Sequence, residues 1–89
     1  YSPGQNPTSL YLYPNPVQDM LQIQYNLETR GAVSLHVIDG AGRKLKSIRQ
    51  DGIFGPNTTS FDVSDLESGM YHLQMIHQGK RMHSSFLKL

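Results

Sequence analysis

The four histidines are the residues of this chain best suited to binding a metal ion. His72 and His83 fall on one face of a predicted hairpin, placed diagonally and about 7–8 Å apart between Cα atoms. Zinc needs three or four ligands at roughly 2 Å, but the chain has no cysteine and the hairpin supplies no carboxylate. His36 and His77 have no spacing that brings them to the same place. We therefore predict surface histidines, no metal site and no cofactor.

Carboxylates and nucleophiles give no stronger indication of chemistry. Asp39, Asp51, Asp62 and Asp65 lie outside any D-x-[DN]-x-[DN]-G pattern, the spacing found in calcium-binding loops. Serines are present, but the sequence contains no G-x-S-x-G turn and no cysteine to act as an activated nucleophile. These patterns favour solvated carboxylates in turns, and we predict that the domain is not an enzyme.

Basic side chains are concentrated in one segment, Arg43–Arg49, which holds half of the lysines and arginines. Lysines on an edge strand discourage aggregation between sheets, and this is the simpler interpretation. A strand of this kind could also bind an anionic partner such as a lipopolysaccharide, so both interpretations stay open. The net charge of +1 gives no general attraction to nucleic acid, and we expect no nucleic-acid partner.

Tyrosines form the remaining group with binding potential. Tyr11, Tyr13, Tyr25 and Tyr71 could line a sugar-binding face, as aromatic rows do in carbohydrate-binding modules. Tyr13, Tyr25 and Tyr71 lie in phase with apolar neighbours, however, and we predict that these three belong to the core.

Strands must position all of these residues. The 89 residues suffice for one small domain, and five prolines with eight glycines favour frequent turns over long helices. Apolar and polar residues alternate at Leu21–Tyr25 and at Val33–Val37, so each segment predicts a half-buried strand. No apolar run approaches the roughly 20 residues of a membrane-spanning helix.

The middle of the chain predicts a turn, a strand, a loop, a second short strand and a tight bend around a buried Leu66. In order, these elements are Asp39–Gly42, Arg43–Gln50, Gly52–Thr59, Phe61–Val63 and Ser64–Gly69. About seven short strands with short connections predict an all-β fold, a small antiparallel β-sandwich of the immunoglobulin-like, Greek-key type.

The last hairpin can be assigned a register from the sequence alone. If Gln78 and Gly79 are the turn residues, the apolar partners coincide on one face. The predicted pairs are Met75 with Met82, Leu73 with Ser84, and Tyr71 with Phe86. Beyond Phe86 the phase changes, so Leu87 and Leu89 are expected to face solvent and Lys88 to face the core, unless a bulge intervenes.

Pro14-Asn15-Pro16 separates the first two strands. Pro14 removes a backbone donor, and Pro16 disfavours the helical region for Asn15, so the segment must form a turn at a strand boundary. A second distinctive segment, Leu66–Tyr71, follows near the end of the chain.

Taken together and in order, these segments resemble the C-terminal sorting domain, type A, of the type IX secretion system (also called the Por secretion system). The resemblance covers about residues 10–89. It rests on a Tyr-Pro-Asn-Pro turn, an apolar hairpin containing D-x-x-G-R, a G-x-N segment, and a D-V-S-x-L-x-x-G-x-Y segment. These are Tyr13–Pro16, Leu35–Leu45, Gly55–Asn57 and Asp62–Tyr71. The ending Ser85–Leu89 departs from the family pattern, in which a lysine usually stands at the position of Ser85.

The resemblance implies a secretion signal. Such a domain directs a periplasmic cargo protein through the outer membrane by docking on the translocon and its outer-membrane shuttle, and a sortase typically removes it and anchors the cargo to the cell surface. The cargo is then found at the surface or in the medium. The residues that we expect to be recognised by the translocon are Pro14, Asn15, Pro16, Gly69, Tyr71, Phe86, Leu87, Lys88 and Leu89.

Two further roles are compatible with the sequence. One is a carbohydrate-binding or adhesive module of an extracellular protein, and the other is an uncleaved sorting domain that tethers a component of the secretion machinery. Residues 1–9 are polar and rich in proline, so we expect a linker from an upstream cargo domain. A displaced, unpaired last strand could add to a partner by β-augmentation, and could dimerise when the domain is isolated.

Overall fold

A computed structural model describes residues 10–89, and the predicted linker of residues 1–9 lies outside the described residues. The described chain contains seven strands. They are β1 Leu10–Tyr13, β2 Met20–Leu27, β3 Gly31–Ile38, β4 Lys44–Gly52, β5 Gly55–Asp62, β6 Gly69–His77 and β7 Lys80–Lys88. Across residues 10–89 the structure has no helix that is long and apolar enough to cross a membrane.

The strands form two antiparallel sheets. One has the order β1-β2-β5 and the other the order β4-β3-β6-β7. The chain therefore crosses between the sheets after β2, β4 and β5, which is a Greek-key path of the immunoglobulin-like kind. The structure confirms the predicted antiparallel β-sandwich.

The core lies between the two sheets and is built from the alternating apolar positions of the strands. Leu21, Ile23 and Tyr25 of β2 are fully buried, as are Val33, Leu35 and Val37 of β3. The Tyr25 hydroxyl accepts a hydrogen bond from Gln50 Nε2 at 2.7 Å, so its burial leaves no polar atom unsatisfied.

The last hairpin has the predicted register. Met75 pairs with Met82, Leu73 with Ser84 and Tyr71 with Phe86. Gln78 and Gly79 both have positive φ, 51° and 78°, which is the requirement of a two-residue type I′ turn. The pairing continues without a bulge to Lys88, which is only 7% exposed, as the change of phase predicts.

The prediction of a loop at Gly52–Thr59 is wrong. Only Ile53 and Phe54 connect the strands, and β5 pairs with β2 from Leu27↔Gly55 to Met20↔Asp62. Because β5 is an edge strand, it accommodates Pro56 and carries hydroxyl side chains in place of an apolar alternation. The sequence pattern therefore predicts only the end of β5, where the expected short strand Phe61–Val63 overlaps it at Phe61 and Asp62.

Three side chains also differ from the prediction in how deeply they are buried. Tyr13 is 45% exposed, because Leu10 and Leu12 take the core-facing positions of β1. His77 is 7% exposed, because it continues the buried alternation of β6, and its Nδ1 lies 3.1 Å from the Ala32 carbonyl oxygen. Leu66 packs against the core but is half-buried rather than fully buried.

Candidate functional site

The proline corner and the end of β7 are joined by hydrogen bonds. Asn15 Oδ1 accepts a bond from the Leu87 N–H at 2.9 Å, although the two residues are 72 positions apart. Val17 forms a parallel bridge with Lys88, in which the Val17 N–H donates to Leu87 O and the Leu89 N–H donates to Val17 O, both at 2.9 Å. We call this set, Asn15–Val17 with Leu87–Leu89, the clasp.

Local sequence explains why the corner can reach β7. Pro14 and Pro16 offer no N–H, and both prolyl bonds of the corner are cis. Asn15 supplies a side-chain acceptor in the place of a backbone one. Val17 is fully buried, and removing a valine side chain from water stabilises the fold by about 1.5–3 kcal/mol. Sequence reasoning missed Val17, although it is the first apolar residue after the corner.

The bend between β5 and β6 is attached to the same end of the sandwich. The Val63 N–H donates to Asp19 O at 2.7 Å, which ties the bend to the segment after the proline corner. The Tyr71 hydroxyl donates to Glu67 O at 2.6 Å, the arrangement called a tyrosine corner in immunoglobulin-like folds. Gly69 has φ 153°, a conformation that residues with a side chain rarely adopt.

The turn between β3 and β4 is held by one carboxylate. Asp39 Oδ1 accepts from the N–H groups of Ala41 and Arg43, each at 2.9 Å, and Oδ2 accepts from Arg43 Nε at 2.8 Å. The hydrogen bond from the backbone N–H of Arg43 is the main reason that the pKa of Asp39 lies below its ordinary value. A bond from the Ser64 hydroxyl likewise lowers the pKa of Asp62. Both carboxylates stabilise turns, which is the role expected from the sequence.

A shallow groove of about 270 Å³ separates this turn from the bend. Leu45 and Leu66 give it apolar walls, and Tyr71 contributes to its lining. The Lys46 Nζ lies 3.0 Å from Asp65 Oδ1 and connects β4 to the bend. The basic strand β4 is at a sheet edge, which fits the interpretation that its cations protect the edge.

The clasp, the bend between β5 and β6, and the β3–β4 turn therefore lie at one end of the sandwich. Tyr13 pairs with Gln22 near the start of β2, whereas Leu10 pairs with Tyr25 near its end. The chain thus enters β1 toward the opposite end, where the β2–β3 connection and the Gln78-Gly79 turn lie. Leu10 is therefore separated from the proline corner by the length of β1.

The nine residues predicted to be recognised fall into an exposed and a buried group. Pro14, Asn15 and Pro16 are exposed, Leu89 is 54% exposed, and Leu87 and Gly69 are half-buried. The buried group is Tyr71, Phe86 and Lys88. Tyr71 stacks on Phe86 with ring centroids 5.7 Å apart, and Lys88 Nζ donates to Leu89 O at 2.7 Å.

The expected unpaired edge of the last strand is only partly present. β7 is an edge strand of its sheet, but the clasp occupies its end from Leu87 onward. Lys80–Phe86 forms no ladder on this side, but β1 packs beside β7, so the edge is partly covered there too. The outward side chains of this segment include Arg81 and His83.

We predict that Tyr71→Phe lowers the free energy of unfolding by about 1–1.5 kcal/mol, because Glu67 O loses its hydroxyl donor while the stacked ring remains. Urea unfolding measures the change. Tyr11→Phe removes the hydroxyl of an exposed ring and is the matched control, expected to leave stability unchanged. Equal effects of the two substitutions would contradict this role of Tyr71.

Residues 10–89 bring no three histidine, cysteine, aspartate or glutamate side chains together in a way that could hold a metal ion. His72 lies beside His83, with ring centroids 6.5 Å apart in an edge-on arrangement. The described end of the sandwich that carries the clasp offers hydrogen-bonded turns and exposed prolines, which suit recognition by another protein.

Comparison with known proteins agrees with this architecture. A family model described as a secretion system C-terminal sorting domain matches residues 11–88. No curated protein sequence matches the chain. The matched span includes six complete strands, nearly all of β1, and every clasp residue except Leu89.

Proposed function

The chain belongs to the family of secretion-system C-terminal sorting domains, which are sorting signals of the type IX secretion system, and from this we propose that it carries an upstream cargo protein from the periplasm through the outer membrane. A sorting domain is not itself catalytic. It acts through contact with the secretion machinery, and its cargo reaches the cell surface or the medium.

The observation that carries the proposal is the clasp. The proline corner, which is typical of the family, and the chain segment after Phe86 are far apart in sequence but share the bond from the Leu87 N–H to Asn15 Oδ1. A partner that contacts this surface therefore recognises the folded domain rather than either segment alone.

The position of the clasp supports the same role. Leu10, where the chain enters the sandwich, lies toward the other end of β1. A cargo attached before Leu10 would leave the clasp accessible to a translocon or its outer-membrane shuttle. The exposed contact groups would be Pro14, Asn15, Pro16 and Leu89, with Leu87 at their margin.

The buried members of the predicted set act indirectly in this proposal. Tyr71 and Phe86 stack beneath the surface and hold the bend and β7 in place. Lys88 keeps its ammonium group on the Leu89 carbonyl oxygen, which fixes the last clasp residue. The unpaired edge of β7 before the clasp would give the partner a second means of attachment, by addition of a strand, where β1 does not cover it.

The fate of the domain after export is part of the proposal. In one outcome a sortase removes the domain in the linker before β1 and anchors the cargo at the surface, as the resemblance implies. If the domain instead stays attached, it serves as a permanent tether to the machinery. The two outcomes differ in whether the mature surface protein contains residues 10–89.

A fusion experiment tests the proposal. Residues 1–89 are placed behind a periplasm-directed fluorescent reporter in a host that has the type IX system. Surface reporter without the domain is the expected result and identifies a cleaved signal. Surface reporter with the domain attached identifies the tether. Reporter that stays in the periplasm, while a fusion to a host sorting domain is exported, would overturn the proposal.

A further inference from the structure

The outer face of the sheet β1-β2-β5 carries two similar rows of side chains. Tyr13 pairs with Gln22, which pairs with Ser60 on the next strand. Tyr11 pairs with Gln24, which pairs with Thr58. Each row therefore presents an aromatic ring, an amide and a hydroxyl in the same order across three strands. We call these six side chains the outer face.

The outer face is accessible. Tyr11 is 57% exposed and Tyr13 is 45% exposed, while Ser60 and Thr58 are exposed and the two glutamines are half-buried. Neighbouring residues in each strand, such as Leu12, Ile23 and Phe61, are the ones that face the core. The two rows are about 7 Å apart along the strands and extend roughly 10 Å across the sheet.

The outer face is also uncharged. The next outward side chain of β5 after Ser60 is Asp62, whose carboxylate accepts bonds from the Ser64 hydroxyl and backbone N–H. The opposite sheet differs, since its outward positions include Arg49, Arg81 and His83. The outer face therefore best matches a ligand that is neutral, apolar on one side and rich in hydrogen-bonding groups.

We propose that the outer face is a binding site for neutral glycans. The apolar C–H face of a sugar ring packs against an aromatic ring, and Tyr11 and Tyr13 offer two such rings side by side. Amide and hydroxyl groups both donate and accept hydrogen bonds, so the Gln–Thr and Gln–Ser pairs match sugar hydroxyls without a charge to desolvate. Tyr13 directly precedes the proline corner, so the outer face adjoins the clasp, but the proposal does not depend on the sorting role.

The proposal is tested by titrating the 89-residue chain with neutral hexasaccharides of β-glucan, β-mannan, xylan and α-glucan, while backbone amide shifts are followed by NMR. At least one hexasaccharide is expected to bind, with the largest shifts at Tyr11, Tyr13, Gln22 and Gln24. Tyr11→Ala is expected to weaken that binding about tenfold, whereas Tyr11→Phe keeps the ring and most of the affinity.

Phe54→Ala is the control, because Phe54 is an exposed aromatic residue outside the outer face, in the β4–β5 connection. It is expected to leave glycan affinity unchanged. The proposal would be overturned if none of the four hexasaccharides bound when each was added in about tenfold molar excess over a millimolar sample of the protein. Binding that is unchanged by Tyr11→Ala and Tyr13→Ala would also overturn it. So would amide shifts that are confined to the other sheet, β4-β3-β6-β7.

Discussion

Phe86→Ala is expected to lower the free energy of unfolding by about 3–5 kcal/mol, the usual cost of removing a buried aromatic side chain. Phe86 is fully buried and stacks on Tyr71 at 5.7 Å. A domain of this size has a total stability of only about 4–13 kcal/mol. The variant should therefore be marginally stable, and the clasp, which begins at the next residue, should lose its support.

Phe54→Ala is the matched control for this prediction. It makes the same chemical change at a side chain that is 73% exposed, and it should alter stability by less than about 0.5 kcal/mol. Guanidinium unfolding of both variants measures the difference, and the reporter fusion measures export. Similar unfolding midpoints for the two variants would show that Phe86 does not support the core as described.

Gly69→Ala is expected to lower the free energy of unfolding by about 1–3 kcal/mol. The reason is backbone conformation, because a Cβ at Gly69 would contact no atom within 4 Å but would have to accept φ 153°. The distortion should spread to the bend and to Tyr71, whose hydroxyl bond to Glu67 O spans it. Chemical unfolding of the variant checks the loss.

Gly40→Ala separates backbone conformation from the simple addition of a methyl group. Gly40 also has nothing within 4 Å of an added Cβ, but its φ is not positive. The control variant should stay within about 0.5 kcal/mol of the unmodified protein. If both substitutions lowered the free energy of unfolding equally, the bend would not depend on the backbone conformation of Gly69.

Periodicity predicted most of the fold, and its failures have physical reasons. The strands β2, β3 and β6 bury one face, so their apolar residues alternate clearly and fix the register of the last hairpin. The sequence predicts a loop for the first part of β5, up to Thr59, and a strand only at Phe61–Val63, because an edge strand with hydroxyl side chains lacks that alternation. In β1 both alternating sets are hydrophobic or aromatic, so the pattern could not decide which set faces the core, and Tyr13 was misplaced.

The clasp shows a different limit of sequence reasoning. Asn15 and Leu87 each belong to a segment that the sequence identified as distinctive, but nothing in the sequence pairs them. Their contact is a side-chain acceptor on one backbone donor, followed by a single parallel bridge. Such contacts have no periodicity, and only the closure of the sandwich brings the two segments together.

The most direct test of the sorting role is the surface display of the reporter fusion carrying Asn15→Ala. The substitution removes the acceptor of the Leu87 N–H at an exposed position, which should cost only about 1 kcal/mol, so the domain stays folded. Asn26→Ala, on the outward side of β2 and away from the clasp, is the control. We predict that Asn15→Ala loses most of its surface display while Asn26→Ala is displayed normally. Normal display of a folded Asn15→Ala fusion would contradict the account.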